Sequence, residues 1–99
     1  MNIKINSVKF SASKQLEDFI EGKVRKLIQF NEDIIGAEVF LKVENTQTLD
    51  NKVAEIRLEL PGSDLFAKKQ SKSFEESTDN AVDALRRQIT KHKERLRRV

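Results

Sequence analysis

The sequence contains no cysteine, a single histidine and no long apolar run, and these gaps exclude several classes of protein. Without cysteine the chain can form neither a disulfide framework nor a thiolate zinc site. His92 alone cannot build a histidine metal cluster, and we expect no metal or other cofactor. No apolar run approaches the ~18 residues of a membrane-spanning helix. The first ten residues also lack the apolar core of a signal peptide. We therefore expect a soluble cytoplasmic protein without a membrane partner.

Signals for catalysis are also missing. The sequence has no glycine-rich phosphate loop and no nucleophile–base pattern. Asp79 and Asp83 lie four residues apart on a predicted helix and could be read as paired carboxylates. A simpler interpretation is that Asp83 pairs with Arg87, four residues further along the same helix. We therefore predict that the chain is not an enzyme and has no small-molecule substrate.

The pattern of apolar residues predicts four strands and two helices. Ninety-nine residues suit one domain, to which we assign residues 1–99. Period-two alternation predicts strands near residues 3–5, over 37–43 and over 54–60, and residues 64–69 form a short fourth strand. Helical spacing predicts one helix over residues 13–30 and another over about 74–97. The expected caps are Ser13 for the first helix and Ser73, in a capping box with Glu76, for the second. The core stripe of the second helix comprises Phe74, Thr78, Ala81, Val82, Leu85, Ile89 and Leu96.

These elements predict an α+β fold. The order is β-α-β-β-β-α, and the crossover through the first helix implies that the first two strands are parallel. Each helix has one apolar stripe and the sheet has one apolar face. The economical arrangement is a two-layer domain, with a four-stranded sheet and both helices packed on one face.

The charge of the chain is divided unevenly. The formal net charge is +3, but residues 86–99 contain seven Lys or Arg and only one acidic residue, Glu94. This segment therefore sums to +6, and residues 1–85 sum to −3. A mildly acidic body with a strongly basic end points to a polyanionic partner.

Helical geometry places these cations away from the core. At 100° per residue, Arg87, Lys91 and Arg98 lie roughly opposite the core stripe, and Arg86, Lys93 and Arg97 lie on one flank. On the first helix, Lys23 and Lys26 share a flank. If the two helices lie side by side, their flanks could join into one phosphate-binding surface. The alternative interpretation is an ordinary solvated helix end, favoured by the helix dipole.

Few aromatic residues are available for base stacking. The chain has six Phe, no Tyr and no Trp. Phe40 is predicted on the wet face of the sheet, and one Phe is not the paired aromatic platform of an RRM. We expect recognition of shape and backbone with little sequence readout.

The stretch from Val53 to Arg95 resembles the ribosome hibernation-promoting factors, a family that includes ribosome-associated inhibitor A. The family pattern is an aromatic-x-x-x-Ile-Asp helix start followed by Asp-x-Leu-x-Arg-Gln-x-x-Lys-x-Lys. The matching residues of the second helix are Phe74, Thr78 (in place of Ile), Asp79, Asp83, Leu85, Arg87, Gln88, Lys91 and Lys93. In the first helix the matching residues are Leu16, Phe19, Lys23, Lys26 and Leu27. The resemblance covers nearly the whole chain.

The resemblance implies a function and a set of RNA-binding residues. Family members bind rRNA of the small ribosomal subunit in the cleft used by mRNA and tRNA, near the decoding centre. This blocks initiation and preserves ribosomes during stress or stationary phase. Together with the charge pattern, it implies RNA binding by Lys23, Lys26, Arg86, Arg87, Gln88, Lys91, Lys93 and Arg95. A chain ending at Val99 is expected to be the short form of the family, a monomer off the ribosome.

One position departs from the family pattern. The family usually has Lys where this chain has Ala84, and we expect Ala84 to be exposed on the face of Arg87 and Lys91. One phosphate contact of the family would then be missing. Two other function classes stay open: a generic module for structured RNA, and an adaptor whose basic last helix binds an acidic protein.

Overall fold

The computed structural model describes residues 2–29, 31–45 and 47–97, with side chains up to Arg95. The order of its elements confirms the predicted β-α-β-β-β-α fold. The elements are β1 (Asn2–Ser7), α1 (Lys14–Gln29), β2 (Gly36–Val43), β3 (Lys52–Leu60), β4 (Ser63–Ser71) and α2 (Phe74–Arg97). The predicted core residue Leu96 and the cations Arg97 and Arg98 lie outside the described side chains.

The four strands form one sheet in chain order, β1-β2-β3-β4. Strand β1 pairs with β2 in parallel, as the α1 crossover requires, and the other two pairs are antiparallel. The predicted fourth strand was too short, because β4 has nine residues. The tight turn at Pro61 and Gly62, with a φ of 81° at Gly62, lets pairing begin at once between Leu60 and Ser63. Pairing then continues to Lys52 and Ser71.

The core lies between one face of the sheet and the two helices. Helix α2 packs on β3 and β4, and α1 packs against α2 and β1. Burial of these apolar side chains stabilises the fold by about 25 cal/mol for each Å² removed from water. Among the described residues, the apolar ones with no exposed surface are Ile20, Val24, Val39, Leu41, Ala54, Ile56, Leu58, Ala81 and Leu85.

Ser13 and Ser73 cap the two helices as predicted, but among the described side chains Glu76 makes no return hydrogen bond to Ser73, so only half of the predicted capping box is present. Ser13 Oγ accepts a hydrogen bond from the Leu16 backbone N–H at 3.1 Å, and Ser73 Oγ accepts one from the Glu76 N–H at 3.1 Å. Each bond satisfies a backbone donor that the helix itself leaves unpaired. The caps fix where α1 and α2 begin, and hence the register of the cations that follow.

Ala84 is not exposed as expected. It is half-buried and packs against the core. The predicted apolar stripe was too narrow because α2 contacts both β4 and α1, and so buries more of its circumference than a helix lying on a sheet alone. Ala84→Lys would have to place a longer, charged side chain at the edge of the core, so we expect this substitution to destabilise the protein.

Two buried hydroxyl groups near the start of α2 have opposite environments. Ser77 Oγ donates a hydrogen bond to the Lys52 carbonyl at 2.6 Å and lies 2.7 Å from Ser71 Oγ, so it ties α2 to β3 and β4. Thr78 Oγ1 is also buried, but within the described part of the chain it has no hydrogen-bond partner. Sequence periodicity identified Thr78 as core but could not distinguish these two environments.

We expect Thr78→Val to stabilise the protein, because Val keeps the shape of Thr and removes the unpaired buried hydroxyl. The free energy of unfolding should rise by about 1 kcal/mol. The midpoint of thermal unfolding should rise by roughly 4–8 °C. Ser77→Ala should instead lower the free energy of unfolding by about 1–3 kcal/mol, since it removes the buried contacts of Ser77 Oγ with the Lys52 carbonyl and Ser71 Oγ. Thermal and denaturant melts of both variants measure this contrast, and destabilisation by Thr78→Val would contradict it.

Candidate nucleic-acid interface

The open face of the sheet, which the helices do not cover, has balanced charge. Strand register places four cations and four carboxylates on this face. They are Lys4, Lys42, Arg57 and Lys68 against Glu38, Glu55, Glu59 and Asp64. Phe66 on β4 is exposed there, and Phe40 on β2 is half-buried. A polyanion would find no net attraction on this face.

The guanidinium at the centre of the open face is already engaged. Arg57 Nη2 lies 3.0 Å from Glu38 Oε1 and 2.9 Å from Glu59 Oε1, and its Nη1 lies 3.4 Å from Asp64 Oδ2. Glu38 also accepts a hydrogen bond from Asn6 Nδ2 at 3.2 Å. Three carboxylates around one guanidinium leave this part of the sheet acidic.

Further along the same face, Lys42 Nζ lies 2.9 Å from Glu44 Oε1. This hydrogen bond and the positive charge of Lys42 lower the pKa of the Glu44 carboxyl. Lys42 is therefore also paired, and it adds little to any attraction of this face for phosphate.

On the helix side of the molecule, the flanks of α1 and α2 meet, but at an ion pair and not as the continuous basic surface that was predicted. Lys23 Nζ lies 3.2 Å from Asp79 Oδ1 across the two helices. Lys26 follows one turn later on the same flank of α1 and is exposed. Acidic residues of α1 lie elsewhere: Glu17 and Glu21 line a depression beside β1. The α1 flank that faces α2 is therefore basic.

Up to Arg95, where the described side chains end, the last part of α2 carries five exposed cations, which we call the basic helix tip: Arg86, Arg87, Lys91, Lys93 and Arg95. Arg86 lies 3.6 Å from Asp83, so the predicted pairing of Asp83 with Arg87 is wrong. A carboxylate can reach a cation at i+3 as well as at i+4 on a helix, and spacing alone does not choose between them. Among the residues with described side chains, the other four tip cations have no ion pair.

One neighbour of the tip, Gln88, has a structural role in the fold. Gln88, predicted to bind RNA, donates a hydrogen bond from Nε2 to the Phe66 carbonyl at 2.7 Å and so anchors α2 to β4. His92 is half-buried. Gln88 therefore already has a partner within the fold, and a role in RNA binding remains a prediction for this residue.

The tip projects past the end of α1. Strands β1 and β4 point the same way, and each helix runs back along the sheet, so α1 and α2 are roughly parallel. The Lys23–Asp79 contact aligns them. From that contact α1 continues six residues to Gln29, whereas α2 continues eighteen to Arg97. At 1.5 Å per residue, α2 extends about 18 Å beyond α1.

Other kinds of site find little support in the described part of the chain. Across residues 2–29, 31–45 and 47–97, no group of three or more His, Cys, Asp or Glu side chains could hold a metal ion. Over the same ranges, no helix is long and apolar enough to cross a membrane.

Comparison with known proteins points to ribosomes. The sequence model of the family described as Sigma 54 modulation protein / S30EA ribosomal protein matches residues 3–97. The chain is 33% identical over 98 residues to the ribosome hibernation promoting factor of Escherichia coli, covering 98% of this chain and 96% of that protein. It is 29% identical over 97 residues to the protein of the same name from Klebsiella oxytoca, covering 98% of both.

Solved structures have the same fold. A ribosomal subunit interface protein from Coxiella burnetii superposes with a TM-score of 0.84 at 20% identity, covering 95% of this chain and 99% of that one. The N-terminal domain of Protein Y from Thermus thermophilus gives a TM-score of 0.77 at 25% identity, covering 93% and 99%. The predicted α+β architecture is confirmed.

If the tip is the interface, neutralising it should weaken polyanion binding. We expect Arg87→Gln with Lys91→Gln to flatten the slope of log affinity against log salt by roughly 1.4 to 1.8, the loss of two phosphate contacts. The fold should persist because both side chains are exposed and Gln is a good helix former. Fluorescence anisotropy with a folded RNA across a salt series measures the slope.

The matched control is Lys4→Gln with Lys68→Gln, which removes two exposed charges from the open sheet face. It should leave the salt slope nearly unchanged. A larger effect from this control pair than from the tip pair would place the interface on the sheet.

Proposed function

Because the chain belongs to the Sigma 54 modulation protein / S30EA ribosomal protein family, we propose that it is a ribosome hibernation factor. It binds rRNA of the small subunit in the cleft that mRNA and tRNA use, near the decoding centre. An occupied cleft cannot accept initiator tRNA or mRNA, so initiation stops during stress or stationary phase. It acts in the cytoplasm, where ribosomes translate.

The observation that carries this proposal is the contrast between the two faces. The open sheet face has balanced charge, with Arg57 held by three carboxylates. The basic helix tip has four cations without an ion pair among the described side chains, on a helix that extends beyond its neighbour. A projecting basic rod is suited to a narrow cleft lined with phosphates, because it can approach backbone from several sides.

The proposed mechanism is occupancy without catalysis. Lys and Arg side chains of the tip neutralise phosphates and release bound counterions, which supplies affinity without reading bases. The half-buried Phe40 and exposed Phe66 lie on the other side of the domain, so base stacking is not expected at the interface. Residues 1–99 act as one ribosome-binding domain, monomeric off the ribosome.

Two alternatives would use the same tip differently. A generic module for structured RNA would bind folded RNAs and ribosomes with similar affinity. An adaptor for an acidic protein would show little affinity for ribosomes. Co-sedimentation with ribosomes in a sucrose gradient, at low and at high salt and with excess folded competitor RNA, separates these cases. Only a specific ribosome ligand stays bound when the competitor is present.

Binding to small subunits should exclude the ligands of translation. We expect saturating protein to reduce the occupancy of both initiator tRNA and mRNA on isolated small subunits in a filter-binding assay. With about five phosphates neutralised by the tip, log affinity should fall against log salt with a slope of about −3.5 to −4.5. Full tRNA and mRNA occupancy at saturating protein would contradict the proposed site.

A further inference from the structure

Among the cations proposed to bind RNA, Lys23 differs from four of the five tip cations because its ammonium is already held by a carboxylate. Its Nζ lies 3.2 Å from Asp79 Oδ1 and 5.4 Å from the centroid of the Phe19 ring. Both members of the ion pair are near half-exposed, with 43% and 47% of their side-chain surface accessible. The carboxylate of Asp79 therefore takes the place on Lys23 that a phosphate oxygen of RNA would take.

Asp79 also has an acidic neighbour on the same helix. Asp83 follows one turn later and lies 3.6 Å from Arg86. Two carboxylates thus lie on α2 before the cations that lack ion pairs, and each forms an ion pair, Asp79 with α1 and Asp83 within α2. Going along α2 toward its C-terminus, the surface changes from internally neutralised to strongly basic.

We propose that Asp79 is a specificity-determining residue of the RNA interface. Its carboxylate holds Lys23 and repels phosphate, which confines RNA contact to the basic helix tip. The inference rests on the proposed function, since it assumes that the helix side of the domain meets RNA.

This arrangement affects unstructured and folded RNA differently. A flexible strand bound to the tip could lay further phosphates along Lys26 and Lys23, and every added contact would raise its affinity. Asp79 removes one of those contacts and places a negative charge beside the strand. A folded RNA with a rigid backbone that meets only the tip loses little. Asp79 thereby lowers binding to arbitrary single strands more than binding to a shaped cleft.

The test is Asp79→Asn, with poly(U) as the unstructured RNA and isolated small ribosomal subunits as the folded target. For poly(U) we expect about a two- to fivefold gain in affinity, the range expected when an exposed ion pair is released. The salt slope should steepen by about 0.7, one additional contact with a single strand. For small subunits the gain should be smaller, so that the preference for subunits over poly(U) falls.

Two controls isolate the effect of Lys23. Asp18→Asn changes the net charge equally on α1, at an exposed residue with no ion pair among the described side chains, and should change poly(U) affinity less. In a Lys23→Gln background, Asp79→Asn should lose most of its gain, because the released cation is absent. Thermal melts of each variant check that the fold is retained.

The poly(U) measurements test the proposed role of Asp79 whether or not the protein binds ribosomes. Unchanged or weaker poly(U) binding by Asp79→Asn would overturn it, and so would an equal gain from Asp18→Asn or an undiminished gain without Lys23. Failure of the wild type to bind small subunits would contradict the proposed function. The poly(U) comparison would still decide whether Asp79 restricts RNA contact.

Discussion

The length of α2 over which the apolar stripe is buried determines which part of this helix belongs to the core and which part projects from it. The sheet and α1 cover this stripe from Phe74 to Ile89, where Leu85 has no exposed surface and Ile89 only 6%. Beyond Ile89 the described side chains are exposed, apart from the half-buried His92. The helix continues because its own hydrogen bonds, and the anchor from Gln88 to β4, hold it in place. A single long helix thus serves as core element and as the projecting element that we propose binds RNA.

Separating these two roles along one helix lets the protein concentrate positive charge without destabilising its core. Cations near the core are paired, as Lys23 is with Asp79 and Arg86 with Asp83. On α2, the described cations without ion pairs lie beyond Arg86, where water screens their mutual repulsion. The open face of the sheet has balanced charge, so the excess of positive charge lies on the helix side and a polyanion is attracted to that side only.

Much of this fold follows directly from local sequence pattern. Alternation defined β2 and β3 because each buries one face, and capping residues defined where both helices begin. The predictions from sequence pattern were wrong where contacts with neighbouring elements determine the structure. β4 was predicted too short because its residues alternate weakly, and pairing with β3 extends it. Ala84 was expected at the surface because helical geometry alone does not show how much of α2 its neighbours cover.

For the candidate site, too, local features could be predicted from the sequence and contacts between elements could not. Helical spacing correctly predicted that the cations of the tip are exposed, since exposure there depends on the helix itself. It could not predict the partner of Lys23, which comes from another helix, nor the choice of Arg86 over Arg87 by Asp83, which depends on side-chain conformation. The hydrogen bonds of Ser77 were equally hidden, because they join residues far apart in the chain.

The central claim is that the helix side, and not the open sheet face, meets the rRNA backbone. Lysines on both sides allow a direct measurement: acetylation of the free protein and of the protein bound to small subunits, quantified for each lysine by mass spectrometry. Protection of the tip residues Lys91 and Lys93, with Lys4 and Lys68 as reactive as in the free protein, is the predicted result. Protection of Lys4 and Lys68, with the tip lysines still reactive, would contradict the account.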